Sequence, residues 1–379
     1  MGSTIAHASA QLDAHASGAT VQRIDVSAYR VPTDAPTESD GTFEWRSTTL
    51  VLVQARAADV TGIGYTYAGA ATATVIRDML APVVCGMDAM ATGRIWAAMV
   101  ASVRNEGRSG ITAMAISAVD VALWDLKAKL LGVPLVTLLG AVRDAVPVYG
   151  SGGFTSYTVK ELGDQLAGWV ADGITRVKMK IGRGANADVG RVAAARAAIG
   201  PAAELFVDAN GAYPRKVALA QAERFVASDV SWFEEPVYHL DLAGLRLCRD
   251  RAPVTMEISV GEYGYDPVDF AQIIEAGATD VLQADASRCE GITGLMLVDA
   301  LCEAHNLPLS THCAPSLHVH PACAAKRVRH VEYFHDHVRI ERMFFDGALA
   351  PVGGELRPDL SRSGLGLEFK RADAAAYAL

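Results

Sequence analysis

Residues Arg176 to Gly182 read R-V-K-M-K-I-G, and the fold turns on how this stretch is taken. Val177, Met179 and Ile181 alternate with Lys178 and Lys180, so an extended chain puts the apolar side chains on one face and both ammonium groups on the other. A strand followed by helices buries both faces, where two lysines aimed the same way are costly unless something uses them. Their repulsion and partial desolvation both lower a lysine pKa, which can leave one amine neutral and basic near neutral pH. The competing reading is an exposed edge strand with two solvated lysines.

Downstream and upstream patterns decide between these. From Val146 onward, short apolar strands alternate with helices. V-P-V-Y-G, the lysine strand, L-F-V-D-A-N, W-F-E-E-P, I-S-V-G-E, D-V-L-Q-A-D and L-P-L-S-T-H read as strands, with helical segments such as 159–172, 188–199 and 215–227 between them. Repeated βα units imply a parallel sheet with right-handed crossovers, and about eight of them imply a closed barrel. Before the barrel, 21–31, 47–56 and 62–68 read as antiparallel strands and 71–80, 92–103 and 111–131 as helices, an α+β unit ending near residue 140. The polar loop P-T-D-A-P-T-E-S-D-G-T-F-E-W, with Pro32 and Pro36, has the length of a lid. Residues 1–20 lack any period and read as a loose tail.

The strand ends carry the chemistry. Lys180, Asp208, Glu234, Glu262, Asp285, His312 and Glu332 follow one another at separations of 28, 26, 28, 23, 27 and 20 residues, by subtraction, about one βα unit each. A barrel gathers strand C-termini around one mouth, so these side chains share a bowl. Asp208, Glu234 and Glu262 on neighbouring strands would repel unless a cation neutralises them. Three hard oxygen donors with positions left for substrate and water fit Mg²⁺ better than Ca²⁺. Asn210 and Glu235 sit beside the three and can orient them or a ligand; the alternative for Glu235 is an outward salt bridge. Opposite, Asp285 fixes one imidazole nitrogen of His312 and raises the basicity of the other. His318, His320, His330, His335 and His337 lack the phase and read as loop or packing residues. Lys180 or His312 can then take an α-proton from a metal-chelated carboxylate substrate, giving an enediolate. Lys178 by charge, and Glu332, if protonated, by a short hydrogen bond, would stabilise the carboxylate oxygens.

Composition bounds the partners. The chain has 379 residues, 51% hydrophobic and 20% charged, with a formal net charge of −9, enough for one large core and a smaller second unit. Without a block of Lys or Arg, that charge argues against nucleic acid or an anionic membrane surface as partner. Cys85, Cys248, Cys289, Cys302, Cys313 and Cys323 show neither C-x-x-C nor zinc spacing and read as reduced thiols of a cytoplasmic protein. The N-terminus has no basic region or apolar core, and Asp120, Asp125 and Lys127 interrupt the most hydrophobic region, so neither leader nor membrane span is expected.

In this order, the motifs resemble the enolase superfamily, specifically its mandelate racemase branch. The resemblance runs from about Val21 to about Phe369. A-M-A-I-S-A-V-D-V-A-L-W-D-L-K-A-K followed by G-V-P-L-V-T-L-L-G is similar to the family's cap signature. K-M-K-I-G, V-D-A-N, F-E-E-P, V-G-E, D-A-S-R-C-E-G-I-T-G and S-T-H are similar to its barrel motifs. The resemblance implies an α/β fold, a (β/α)₇β modified TIM barrel over 141–350 with an N-terminal α+β capping domain over 21–140. A C-terminal segment, 351–379, containing G-L-G-L-E-F, would pack back on the cap. It implies one Mg²⁺ per subunit on Asp208, Glu234 and Glu262. Lys180 and His312 would be the opposed bases, Asp285 the partner of the histidine, and Glu332 the electrophile, with Glu341 the alternative for that last acid. Cap loops that close over substrate would be 33–45, with Trp45, and G-I-G-Y-T-Y, with Tyr65 and Tyr67. Glu290 departs from the pattern, standing where a glycine is common. The family commonly forms homo-oligomers, and one is expected here.

Both bases are retained, and the lid is rich in Thr, Ser, Asp and Glu rather than aliphatic residues, which favours dehydration of a polyhydroxylated sugar acid over an aryl substrate. Racemisation or epimerisation of a 2-hydroxy acid, and cycloisomerisation of a sugar-acid lactone, need the same enediolate and stay open. A metal-binding barrel that only binds a ligand is the non-enzymatic alternative; an opposed acid–base pair argues against it.

Overall fold

The structure, a computed structural model, describes residues 19–35 and 37–379; Pro36 and residues 1–18, where most of the expected tail falls, lie outside the described residues. Thr20 bridges to Asp88, and Ala89 donates its N–H to the Ala19 carbonyl. Strands β1 (Arg23–Pro32), β2 (Ser47–Ala57) and β3 (Val60–Tyr67) form an antiparallel sheet in the order β1-β2-β3. Helix α1 (Ile111–Leu130) packs on it, and small residues set how closely. A Cβ on Gly64 would stand 2.3 Å from the Ala118 carbonyl oxygen, and one on Gly62 2.2 Å from that of Ala122. The helix expected over 71–80 instead continues to Val84 through a wider turn at Ile76–Leu80, in which the Ala81 N–H reaches back to the Ile76 carbonyl. The extra residue in that turn precedes Pro82, which has no N–H to give and crowds the preceding turn.

Among the described residues, eight parallel strands then close a barrel: β4 (Val146–Gly152), β5 (Arg176–Lys180), β6 (Glu204–Asp208), β7 (Val230–Glu234), β8 (Glu257–Val260), β9 (Val281–Ala284), β10 (Leu309–Thr311) and β11 (Val328–Phe334). Closure comes from β11 pairing with β4, Val331 opposite Val148. The lysine strand is therefore central, with Lys178 wholly buried, and the exposed-edge reading is excluded. Register does the positioning: Lys180 lies opposite Asp208, and Asp208 opposite Glu234. Below them Tyr149, Phe206, Trp232 and Val281 fill the barrel, Phe206 stacking on Trp232 with ring centroids 5.1 Å apart. That apolar plug keeps the mouth, rather than the whole lumen, polar.

The C-terminal residues run back toward β1 and α1. Leu135 donates to the Gly364 carbonyl, and Leu379 to that of Ala28. Asp125, on α1 and wholly buried, accepts from the Ile63 N–H at 2.7 Å and the Leu365 N–H at 2.7 Å, and pairs with Lys129 at 2.6 Å. One carboxylate thus joins sheet, helix and returning segment. Asp125→Ala leaves two buried amides and an ammonium without their acceptor, and we expect a loss of about 3–5 kcal/mol, read as a lowered urea midpoint; an unchanged midpoint would reject the role. Among the described residues, no helix is long and apolar enough to cross a membrane, and the six cysteines form no disulfide.

Candidate active site

Backbone bends at the strand ends aim the functional side chains. Gly182, Asn210, Glu235, Gly261, Cys313 and Ala314 all have positive φ, and each lies within two residues of Lys180, Asp208, Glu234, Glu262 or His312. Four of these are not glycine, and left-handed backbone there costs about 1 kcal/mol or more each. The bends turn the chain out of the sheet just where a carboxylate or imidazole must face the bowl.

Asp208, Glu234 and Glu262 each place a carboxylate oxygen within 4.8 Å of the others', and all three are buried. Lys180 Nζ lies 2.5 Å from Asp208 Oδ2. Lys178 Nζ lies 2.7 Å from Glu234 Oε1 and 2.8 Å from Glu332 Oε1. The expectation of a neutral amine is corrected here. Burial does lower both lysines, but Asp208 with Glu262 for Lys180, and Glu234 with Glu332 for Lys178, outweigh it and raise both. Glu234 remains undercompensated: burial, then Asp208, push it up to about 8 against the pull of Lys178, whereas His312, Lys180 and Arg288 hold Glu262 well below the ordinary value against its burial. Glu235 is buried without an ion pair among the described residues, so the outward salt bridge is absent; burial, then Glu262, Asp208 and Glu234, raise it. Its Oε1 and the Oδ1 of Asn210 have no hydrogen-bond partner among the described residues. Hard oxygen donors, buried and convergent, fit a dication of the magnesium type.

Across the bowl, His312 Nδ1 lies 2.9 Å from Asp285 Oδ2, and its Nε2 3.0 Å from Glu262 Oε2. Burial lowers the imidazole, but Cys313, Glu262 and Glu332 outweigh it, and the pKa ends well above the ordinary value. Asp285 is held low by His312 and His318 against its burial. His318, read from sequence as packing, fastens the two loops together: it accepts from the Ala286 N–H at 2.9 Å, and its Nδ1 lies 2.9 Å from the Cys313 carbonyl. Arg288 was not singled out by the strand-end phase. It donates to the Glu262 carbonyl at 3.0 Å and stands 3.7 Å from Asp285 Oδ2, linking the metal side to the histidine side.

Glu332 takes the last strand-end position, accepting the Cys313 N–H at 2.8 Å. Burial works against its ionisation, yet Lys178, His312 and Lys180 hold its pKa low, so the condition for a proton-donating Glu332 is not met and it stands as a charged acceptor. Glu341 is elsewhere, on α2 (His335–Phe344), accepting from Tyr65 Oη at 2.6 Å and from the Ser316 N–H at 3.0 Å. Tyr65 is corrected with it: its hydroxyl serves Glu341, and it does not line the cavity. That cavity, about 530 Å³, is walled by Lys180, Asn210, Glu262, His312 and Glu332 below and by Asp40, Trp45, Thr48, Tyr67 and Asp336 above. His337 also lines it, stacked on Tyr67 at 3.4 Å. Its place on the helix after the last strand gave no phase signal. Glu290 has left-handed backbone and a buried side chain that Arg108 grips with two hydrogen bonds of 2.5 and 2.6 Å. The loop holding Asp285 and Arg288 is thereby tied to the segment preceding α1.

Residues 23–140 match the profile of the mandelate racemase / muconate lactonizing enzyme N-terminal domain, and residues 161–374 that of the enolase C-terminal domain-like family. A 3,6-anhydro-alpha-L-galactonate cycloisomerase from Streptomyces coelicolor is 33% identical, over 93% of this chain and 98% of its own. A mandelate racemase/muconate lactonizing enzyme-like protein from Rubrobacter xylanophilus superposes with a TM-score of 0.93 at 53% identity, covering 95% of this chain and all of that one. An L-talarate/galactarate dehydratase from Salmonella typhimurium LT2, liganded with Mg and L-lyxarohydroxamate, superposes with a TM-score of 0.87 at 26% identity, over 96% and 93%. A racemase from Streptomyces coelicolor A3(2) is likewise described with bound magnesium, which is typical of this superfamily. Matched in both halves, and aligned nearly end to end with a characterised relative, the chain is an enzyme of the mandelate racemase / muconate lactonizing enzyme family within the enolase superfamily.

Proposed function

We propose that this enzyme dehydrates a sugar acid to a 2-keto-3-deoxy acid through an enediolate. The observation that carries this reading is the opposition of Lys180 to the His312–Asp285 pair across the buried carboxylates. When bound, magnesium supplies positive charge for the substrate carboxylate and acidifies its α-hydrogen. Lys180 Nζ, once it has given its own proton to solvent, takes that hydrogen as a proton from one face. The C–H electron pair is first held by the carboxylate as the enediolate, then becomes the Cα=Cβ bond as the β-hydroxyl leaves with a proton from His312 Nε2, as water. The enol product then tautomerises to the ketone. Lys178 holds negative charge on the substrate carboxylate. The polar upper wall, with Asp40, Ser47, Thr48 and Thr49, suits hydroxyl groups.

A second reading is favoured by the 33% identical relative, which is named as a cycloisomerase. There a ring oxygen replaces hydroxide as the leaving group, on the same residues. Incubation with Mg²⁺ and a panel of sugar acids and lactones in D₂O separates the cases. A 2-keto-3-deoxy acid identifies dehydration, ring opening without loss of water identifies cycloisomerisation, and α-deuteration with inversion identifies epimerisation. Absence of exchange across the panel would reject the enediolate reading.

A further inference from the structure

The proposed proton transfers use Lys180 and His312 and leave idle one nucleophile on the same wall, the thiol of Cys313, which lines the cavity beside them. Consecutive side chains of a strand point to opposite faces. Cys313 instead has φ +52° and Ala314 +39°, and this left-handed bend turns the thiol toward the imidazole it would otherwise oppose. Sγ lies 3.3 Å from His312 Nε2, and Nε2 lies 3.7 Å from Glu332 Oε2. His312, Cys313 and Glu332 are all buried and all line the cavity, and each places one donor atom within 4.8 Å of the others'. Two of these separations already approach the edges of a zinc tetrahedron, about 3.4–3.6 Å for Zn–N near 2.0 Å and Zn–S near 2.3 Å. Glu332 Oε2 takes the Cys313 N–H at 2.8 Å and keeps a second lone pair. A fourth ligand is at hand in Glu262 Oε2, 3.0 Å from Nε2, or in water from the cavity. Nδ1 of the same ring is already held by Asp285 at 2.9 Å, the outer carboxylate that orients metal-binding imidazoles. Asp208, Glu234 and Glu262 offer hard oxygen alone. The neighbouring set offers nitrogen, sulfur and oxygen, a borderline-soft combination that zinc selects and magnesium does not.

We propose that His312 Nε2, Cys313 Sγ and Glu332 Oε2 form a second cation site, which takes Zn²⁺ even from a solution rich in Mg²⁺, and that zinc held there inactivates the enzyme. The binding half stands on these donors alone; the inactivating half rests on the proposed function. Zinc takes the place of the proton on Nε2 and of the proton on the thiol, both of which pass to solvent. His312 then has nothing to hand to the leaving hydroxyl.

The test uses the magnesium-loaded full chain, with Zn²⁺ and Co²⁺ as probes. Equilibrium dialysis against Zn²⁺ in excess Mg²⁺ is expected to show one tightly held zinc per chain. Co²⁺ is expected to give a thiolate charge-transfer band and the strong visible bands of a tetrahedral site; an all-oxygen site gives no thiolate band. Cys313→Ser is expected to lose that band and to bind zinc at least about 100-fold more weakly, beyond the roughly 10- to 100-fold that loss of an outer-shell partner costs. The zinc concentration that inhibits its remaining turnover should rise by the same factor. Cys313→Ala repeats the measurement without a hydroxyl in the site, and Cys85→Ser, which removes the one exposed thiol, should change nothing. Absence of the second ion or of the thiolate band in the unmutated chain overturns the proposal, as does a band or a zinc affinity that neither Cys313 variant moves. Turnover undiminished with the site filled overturns its inactivating half. If no sugar acid reacts, the dehydratase reading falls, and dialysis and the band still decide the site.

Discussion

Asparagine in place of His312 lowers kcat by about 10²- to 10⁴-fold. The side chain fits the volume beside Asp285 but cannot carry a proton to a leaving oxygen. The loss therefore isolates acid–base work from packing. Lys180→Ala is expected to fall by a similar factor, for removal of the group on the other face. The two variants should differ in one respect: whichever keeps the base that faces the α-hydrogen still washes deuterium into the substrate while forming no product. NMR of recovered substrate in D₂O, alongside a thermal melt, reads this directly. Wild-type rates in both variants would remove the pair from the mechanism.

Stripping the divalent ion with EDTA is expected to abolish turnover and leave the fold standing. Glu234 and Asp208 already have Lys178 and Lys180 against them at 2.7 and 2.5 Å, and Glu262 has His312 at 3.0 Å, so the ion-free protein does not face the full repulsion of three buried charges. Ion binding should add stability by mass action, about 2.7 kcal/mol at a hundredfold excess over the dissociation constant, seen as a modest rise in Tm on adding Mg²⁺. Activity should return with Mg²⁺. Full turnover in EDTA would reject the metal assignment, and collapse of the far-UV signal would show that the lysines do not share the load.

Much of this was legible because strands have a fixed period. Lys180, Asp208 and Glu234 are far apart in sequence, yet the regular βα spacing put them at one level, and the register places them side by side. Charge state was less legible. The repulsion between Lys178 and Lys180 follows from two adjacent positions, whereas the carboxylates that outweigh it come from other strands at distances the sequence does not contain. Tyr65 and Tyr67 share a face of β3, so alternation could not tell that one meets Glu341 and the other the cavity; depth along the strand decided it. His337 and Arg288 lie beyond strand ends, where side-chain direction depends on the path of a loop.

The bonds from residues 364–379 to β1 and α1 bear on how the protein is made. A ribosome delivers β1 first, yet Ala28 and Asp125 find these partners only after the whole barrel has emerged. The nascent first unit must therefore wait, partly unfinished, with a sheet edge that could pair with a neighbouring chain. Sites for purification handles or fusions near residue 379 carry the same hazard, because they burden the clasp that finishes the cap.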